Sequence, residues 1–539
     1  MKYQGTVFLK FAGTAALLFF VFACSGREKA GQADGQAAQA READAALINY
    51  AMGTAWDTLN PYDSASGSMY SQIVWDKIYD RLAYLSQAGV VIKPRNALSW
   101  ESADGGKAIV FHLNPKAKWH DGVPVTAKDW VFTIGLISSP DLVLAGGGFF
   151  SFLEGTDNSG KALSPGSAGA EALDDYTLKL SFKYVTSPES FLILSNRNFY
   201  VLPEHLLRST AAADIRNADF WKKPVGSGPA IFESEIVGNQ ILLRANPDYH
   251  LGKGGFGFLK ITVIAASNRF SSLLSGDLDC YAFGNSVSVD EKLIAEQAGF
   301  TVVDSKARSG FTEVILNNKS ISDPRIRQAL HYALDKPVLA QLSTQGLGQP
   351  AFSTVIPSSE YYNTDLAFDR DPAKAKALLQ ESGYDGRRYT MAVGQSRAEL
   401  VAVMQQQWAE AGINVDIIIV DVATMFTGLK EGKYDIGLSG HTGTAEPLWF
   451  SGNFSSGSLN DFSITDPVYD QKKAEINAET DPVKRKKLIW DYQAFLAELS
   501  PCIPLWHSGS LYVQSKTVRN IDYDASSLCN ENTWEWVKD

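Results

Sequence analysis

Hydrophobic and polar positions follow two different rhythms along this chain. In the first half the period is two. Ile48, Tyr50 and Met52 alternate with other residues, the pattern of an opening half-buried strand, and a loop at 53–62 follows. Short apolar or alternating runs at 109–113, 176–182, 241–243 and 261–264 predict further strands, with Gly and Pro between them. In the second half helical spacing takes over. Every Asp-Pro pair of the chain falls there: Asp323-Pro324, Asp371-Pro372, Asp466-Pro467 and Asp481-Pro482. Asp is a good N-cap and Pro a good first helical residue, so each pair predicts a helix start. Ile326, Ala329, Leu330, Ala333 and Leu334 then share one face. So do Ala375, Leu378 and Leu379, with Gly383 as a stop, and Ile489, Tyr492, Leu496 and Leu499. Strands at 313–316, 390–393, 413–420 and 434–438 lie between, and one at 511–514 follows. That order predicts an α/β lobe with a substantially parallel sheet. Ligands of such sheets meet loops at the carboxyl ends of strands or between lobes, which gives weight to 53–62 and 439–450.

Residues 111–132, FHLNPKAKWHDGVPVTAKDWVF, read as strand, tight turn and capped helix. Asp121-Gly122 is a turn signal, because Gly tolerates positive φ. Thr126 and Asp129 have the spacing of a capping box. Trp130, Ile134 and Ile137 share a helical face. His120 and Asp121 read as turn chemistry rather than a metal or catalytic pair, since no second His or Cys stands at ligand spacing.

This segment closely resembles a signature of the peptide and nickel class of extracellular solute-binding proteins, which serve ABC importers; Asn114 replaces a frequent Arg. The resemblance continues through Leu59-Asn60-Pro61, Leu98-Ser99-Trp100, residues 173–178 (LDDYTL), residues 224–229 (PVGSGP) and Asn246-Pro247-Asp248-Tyr249. It implies a large α/β protein of the two-lobe periplasmic-binding-protein type, with an extra subdomain in the first lobe and a hinge between lobes. On that pattern lobe I is 46–304 and 509–539, with an inserted subdomain at 72–200, and lobe II is 305–508. The ligand is expected between the lobes. Peptide-binding relatives often carry an Asp three residues before an Asp/Glu-Pro pair, where it holds the peptide's α-ammonium. Here Glu446-Pro447 matches the pair and Gly443 occupies the anchor position. Glu446 compensates, or the ligand is not a free-amine peptide.

The N-terminus speaks for export. Lys2 and Lys10 precede an apolar run at 11–23, short of the roughly 20 residues that a membrane span needs. Val21-Phe22-Ala23-Cys24 resembles a lipobox, so 1–23 is expected to be a lipoprotein signal peptide and Cys24 the lipidated first residue. Acyl chains would hold the chain to a membrane without spanning it. Residues 24–45 carry few side chains able to form a core and read as a flexible tether.

Composition limits what the body can be. With 45% hydrophobic and 20% charged residues it is an ordinary globular chain, too long for one core. Removal of 1–23 takes away Lys2 and Lys10 and no acid, which brings the net charge from −11 to −13 and argues against nucleic acid as a partner. Cys280, Cys502 and Cys529 remain after Cys24; an odd number leaves one unpaired, and Cys502 with Cys529 is one possible pair. The 7 His are scattered, and no nucleophile elbow, zincin motif or P-loop is present. No catalytic residue, metal site or cofactor is expected.

The candidate ligand-binding residues are Trp56, Phe149, His441, Thr442, Gly443, Glu446, Trp449 and Trp506. Flat aromatics suit stacking on a ligand or packing a peptide side chain. The leading expectation is a monomeric, exported, lipid-anchored binding protein on the periplasmic or extracellular face, not an enzyme, that delivers an oligopeptide-like solute to an ABC permease. The same scaffold with an oligosaccharide ligand is the alternative, a nickel or metal-complex binder the next, and a secreted hydrolase the last.

Overall fold

The computed structural model describes residues 46–63, 69–86, 90–143, 148–195, 198–281, 287–305, 308–443, 445–448, 464, 466–479, 481–524 and 532–539. The expectations for Cys24, the signal peptide, the tether, Trp449 and Cys529 lie outside them.

Two large sheets frame the molecule. The first has seven strands, in the order Thr301–Asp304, Leu511–Gln514, Cys280–Tyr281, Leu47–Met52, Phe258–Val263, Gln240–Ala245 and Ala230–Ile236. The second has six, in the order Gly348–Pro350, Cys502–Ser508, Gly310–Leu316, Ile436–Thr442, Arg388–Val393 and Asn414–Ile419. The opening strand buries Ile48, Tyr50 and Met52 completely, as its alternation requires. Asp323, Asp371 and Asp481 each accept a first-turn N–H of the helix that follows, with Pro at its start. After Asp466 the helix begins one residue later, at Val468.

The expectation of a substantially parallel second sheet is corrected. Three of its neighbour pairings are antiparallel and two are parallel. The strand–helix order makes parallel neighbours only within 388–442. Gly310–Leu316 and Cys502–Ser508 enter and leave the lobe beside each other, so they run in opposite directions.

A four-stranded antiparallel sheet, in the order Ala97–Ala103, Ala108–Leu113, Thr177–Ser181 and Ala170–Asp174, packs with the helix Ala127–Ile137 onto the core of the first lobe. The signature segment builds this joint. Trp119 N–H bonds Val123 O at 2.8 Å across the turn, where Gly122 has φ 93°. Asp129 accepts the Thr126 N–H at 2.8 Å and the Glu204 N–H at 3.0 Å. His120 accepts the Gly226 N–H at Nδ1 (3.2 Å) and donates from Nε2 to Gly228 O (3.1 Å), which makes it the neutral imidazole. Burial pushes its pKa down to about 4. The 224–229 loop that it holds needs its glycine for a close approach: a Cβ on Gly226 would stand 1.8 Å from Ile78 O.

Beneath this joint lies an ionic core. Asp76, Lys77, Asp80, Arg81 and Arg95 are all fully buried. Arg81 pairs with Asp76 at 3.0 Å, and Asp80 receives both Arg95 (2.5 Å) and His250 (2.7 Å). Burial works against ionisation of Asp80, but Arg95 and His250 outweigh it and hold the carboxyl below its ordinary range. Removing one partner of a buried pair strands the other charge, at a cost of about 3–5 kcal/mol. We therefore expect Asp80→Asn to lower the urea-unfolding free energy by about that amount at pH 7. Because the folded pKa is depressed, the wild-type advantage is complete above the unfolded carboxyl value of about 4 and fades as pH falls through the folded one. An unfolding midpoint equal to wild type at pH 7 would contradict this role.

Candidate functional site

Strand direction determines where the lobes meet. Leu511–Gln514 is antiparallel to Thr301–Asp304 and to Cys280–Tyr281, and Cys280–Tyr281 is parallel to Leu47–Met52. Phe258–Val263 is parallel to Leu47–Met52 as well. Their carboxyl ends therefore share the edge from which the chain leaves, after Asp304, for the second sheet. There Gly310 pairs with Thr442 and Ser508, the last residues of their strands. Arg388–Val393 and Asn414–Ile419 run parallel to Ile436–Thr442, so their carboxyl ends also lie at the crossing edge. The two sheets thus present carboxyl edges to each other, the position at which α/β sheets hold ligands.

On the second lobe's edge, His441 and Thr442 belong to the strand rather than to a loop, a correction to the expected boundary. The strand extends to Thr442 because Gly310 and Phe311 are available to pair with its end. His441 Nε2 lies 3.1 Å from Glu313 Oε1; the Glu313 side chain is fully buried and that of His441 is 22% exposed. Beside this pair stands Arg397, in the turn that follows Arg388–Val393. Its half-buried guanidinium has no hydrogen-bond or ion-pair partner among the described residues. Burial lowers its pKa from the ordinary value. Gly440 leaves it room, since a Cβ there would stand 3.2 Å from Arg397 Nη2. A guanidinium without a partner among the described residues has the donor geometry that an oxyanion can meet. The sequence reading missed Arg397; its signal was a lone Arg in a Gly-Gln-Ser-Arg turn after an apolar strand.

Glu446 is not available to a ligand ammonium in this conformation. It is 2% exposed and pairs with Arg485 Nη2 at 3.1 Å, and Ser190 Oγ donates to its Oε2 at 2.7 Å. Arg485 Nη2 also donates to Ser190 Oγ at 3.2 Å. Ser190 lies on the helix Pro188–Ser195, which packs on the core of the first lobe through Phe191 and Leu192. Glu446, Arg485 and Ser190 therefore form a latch between lobes.

The other expected residues divide between core and edge. The Gly443 N–H donates to Ser309 O at 2.6 Å, tying the loop to the crossing. Trp56 lies on its predicted loop but is 7% exposed, packs into the first core and donates from Nε1 to Glu235 Oε2 at 3.1 Å. Phe149 is half-buried, edge-on to Tyr62 at 5.4 Å. Its neighbour Phe150 is 2% exposed and packs on Phe199. Trp506 is corrected to a core residue. It is 2% exposed within the second core, because Cys502–Ser508 lies inside the sheet with a neighbour on each side. His507 is buried and bonds Ser353 O at 3.1 Å. Cys280 and Cys502 are buried free thiols.

Comparison with known proteins places this geometry. The model of bacterial extracellular solute-binding proteins, family 5 middle, matches residues 91–461. The chain belongs to that family: it is a solute-binding protein of ABC import, not an enzyme. The oligopeptide-binding protein AppA of Bacillus subtilis is 26% identical over 470 residues, covering 81% of this chain and 80% of that protein. Heme-binding protein A of Haemophilus influenzae is 24% identical over 463 residues, covering 80% of this chain and 82% of that protein. The solved structure of the substrate-binding protein CtaP of Listeria monocytogenes superposes with a TM-score of 0.79 at 20% identity, covering 92% of this chain and 99% of that one.

The latch has a direct test. Ser190→Ala removes only its cross-lobe hydroxyl and leaves the Glu446–Arg485 pair in place. A hydrogen bond to a charged group contributes about 1.5–3 kcal/mol, which is roughly a ten- to hundred-fold change in the open-to-closed ratio. Small-angle scattering of the unliganded variant should show a larger radius of gyration than wild type, whereas Ser195→Ala, at the far end of the same helix, should not. Identical scattering from Ser190→Ala would remove the latch from the closure equilibrium.

Proposed function

We propose that this chain is a lipid-anchored capture protein that takes an oligopeptide-like solute between its lobes and hands it to a membrane ABC permease. The observation that carries the reading is Arg397. An unpartnered guanidinium at the facing carboxyl edge suits a ligand carboxylate, the group every unmodified peptide carries at one end. Lobe I is taken as 46–304 with 509–539, its inserted subdomain as 72–200, and lobe II as 305–508. The backbone at His441, Thr442 and Gly443 is taken as the second lobe's side of the site, with Phe149 opposite. The protein works as a monomer, held to the periplasmic or extracellular face of the membrane by lipid on Cys24.

Gly443 at the usual ammonium position, with Glu446 already paired to Arg485, favours recognition that does not depend on a free α-amine. The oligosaccharide alternative leaned on loop tryptophans, and the packing of Trp56 and Trp506 into cores takes support from it. Names among the relatives include both oligopeptide and heme binding, so the scaffold itself does not choose.

Two experiments test the reading. In a thermal-shift screen of the mature chain, peptides with a free carboxyl terminus should stabilise it, by about 2.7 kcal/mol at a hundred-fold excess over Kd. Arg397→Ala should weaken that binding by about 2–5 kcal/mol, the cost of losing one side of a hydrogen-bonded charge pair. Stabilisation by oligosaccharides alone would replace the peptide assignment. For the anchor, Cys24→Ala should abolish incorporation of labelled fatty acid and leave the precursor uncleaved; unchanged labelling would refute lipidation at Cys24.

A further inference from the structure

We propose that the first lobe contributes an oxyanion subsite of its own, formed by Arg269 and Tyr281, so that the captured solute carries a second anionic group besides the one that Arg397 reads. The inference rests on the reading of the facing edges as the solute site.

Arg269 stands in the first turn of the helix Ala266–Leu274, which follows the strand Phe258–Val263. Its Nε and Nη1 are buried and make no hydrogen bond. No carboxylate among the described residues forms an ion pair with it. Tyr281 ends the strand Cys280–Tyr281, is 2% exposed, and has a buried hydroxyl without a hydrogen-bond partner among the described residues. Leu47–Met52 lies between these two strands and is parallel to both. Arg269 and Tyr281 are therefore brought to one edge, the edge that faces the second lobe.

The two groups feel each other. Burial raises the Tyr281 phenol well above its ordinary pKa, Glu291 adds to that, and Arg269 opposes it. Glu291 is engaged elsewhere, accepting the Ser288 N–H at 2.8 Å and its Oγ at 3.0 Å. The helix adds positive potential, since Ala265 offers no capping side chain and no acid lies in the first turn.

Buried donors without acceptors are costly, and native structures rarely keep them without a functional reason. Here there are two guanidinium N–H positions and a phenol O–H at one sheet edge. A carboxylate or a phosphate would satisfy all three. General attraction of anions is not the explanation, because the chain as a whole carries a charge of −11. The positive character is local, so it selects a ligand group rather than steering anions to the surface.

The test uses calorimetry on the full mature chain. The probes are tri-alanine, its three single-glutamate variants (Glu-Ala-Ala, Ala-Glu-Ala and Ala-Ala-Glu), the matching phosphoserine tripeptides, and glutarate and inorganic phosphate as non-peptide anions. At least one glutamate or phosphoserine peptide should bind roughly tenfold tighter than tri-alanine, as one charge-assisted hydrogen bond supplies. Whether the glutamate or the phosphoserine set gains more distinguishes carboxylate from phosphate. Arg269→Gln should bring the acidic peptides down to the tri-alanine level. Tyr281→Phe, which deletes a single oxygen, should lose part of the gain and decides the matter if the arginine variant does not fold. Equal affinity for neutral and acidic peptides sinks the subsite and leaves the peptide reading standing. Binding of glutarate or phosphate but of no peptide, lost in Arg269→Gln, keeps the subsite and sinks the peptide reading. A folded chain that binds nothing in the set counts against both.

Discussion

At the junction of the lobes, two backbone segments approach too closely for a Cβ between them. A Cβ on Gly310 would stand 2.9 Å from Ser508 O, and one on Gly509 would stand 2.8 Å from Ser305 O. The two crossing segments must therefore run side by side, and Gly310 pairs directly with Ser508. Much of the functional geometry depends on that contact. Once the segments are adjacent and opposite in direction, the strands beside them are oriented. Both sheets then turn their carboxyl edges towards the junction. The placing of the two carboxyl edges is a consequence of strand polarity at two glycines, before any side chain at those edges is chosen.

Much of the fold was legible where the signal was local. The Asp-Pro helix starts needed only two neighbouring residues and their own first-turn N–H groups. The Asp121-Gly122 turn needed one positive φ. Strands such as 511–514 stood out because they are short, apolar and bounded. Sheet direction was not legible, because it is decided by pairings between segments as distant as Gly310 and Ser508. The same distance hid the site. Glu446 read as a free carboxylate because its partners lie 39 residues away, at Arg485, and 256 residues away, at Ser190. Trp506 read as a ligand contact because a strand beside a hinge resembles a surface, and only its two sheet neighbours bury it.

The signature segment has a role that its sequence alone could not reveal. It does not touch the facing edges. His120 binds the 224–229 loop, that loop rests on the Ile78 backbone, and Ile78 ends the helix that carries Asp76 and Lys77 into the ionic core. Asp80, Arg95 and His250 then join three distant segments through one carboxylate. Buried pairs of this kind add little net stability compared with an apolar core, but they penalise any other arrangement of the same segments. That accounts for a motif which marks the scaffold and leaves the ligand unspecified.

The charges at the cleft make a division of labour. Glu446, near the expected ammonium anchor, is consumed by Arg485 and Ser190, and Glu313 is turned to His441. Among the described residues, Arg397 is left without an internal partner. On the proposed reading a ligand amine would have to break an existing ion pair to find an acceptor there, whereas a ligand oxyanion would meet a half-buried donor. Closure points the same way. On the proposed reading, the Ser190 contact favours the closed arrangement without ligand, so less of the ligand's binding energy is needed to shift the lobes. On that reading more of it remains to discriminate between ligands, and the discrimination falls on the sign of the charge at the arginine.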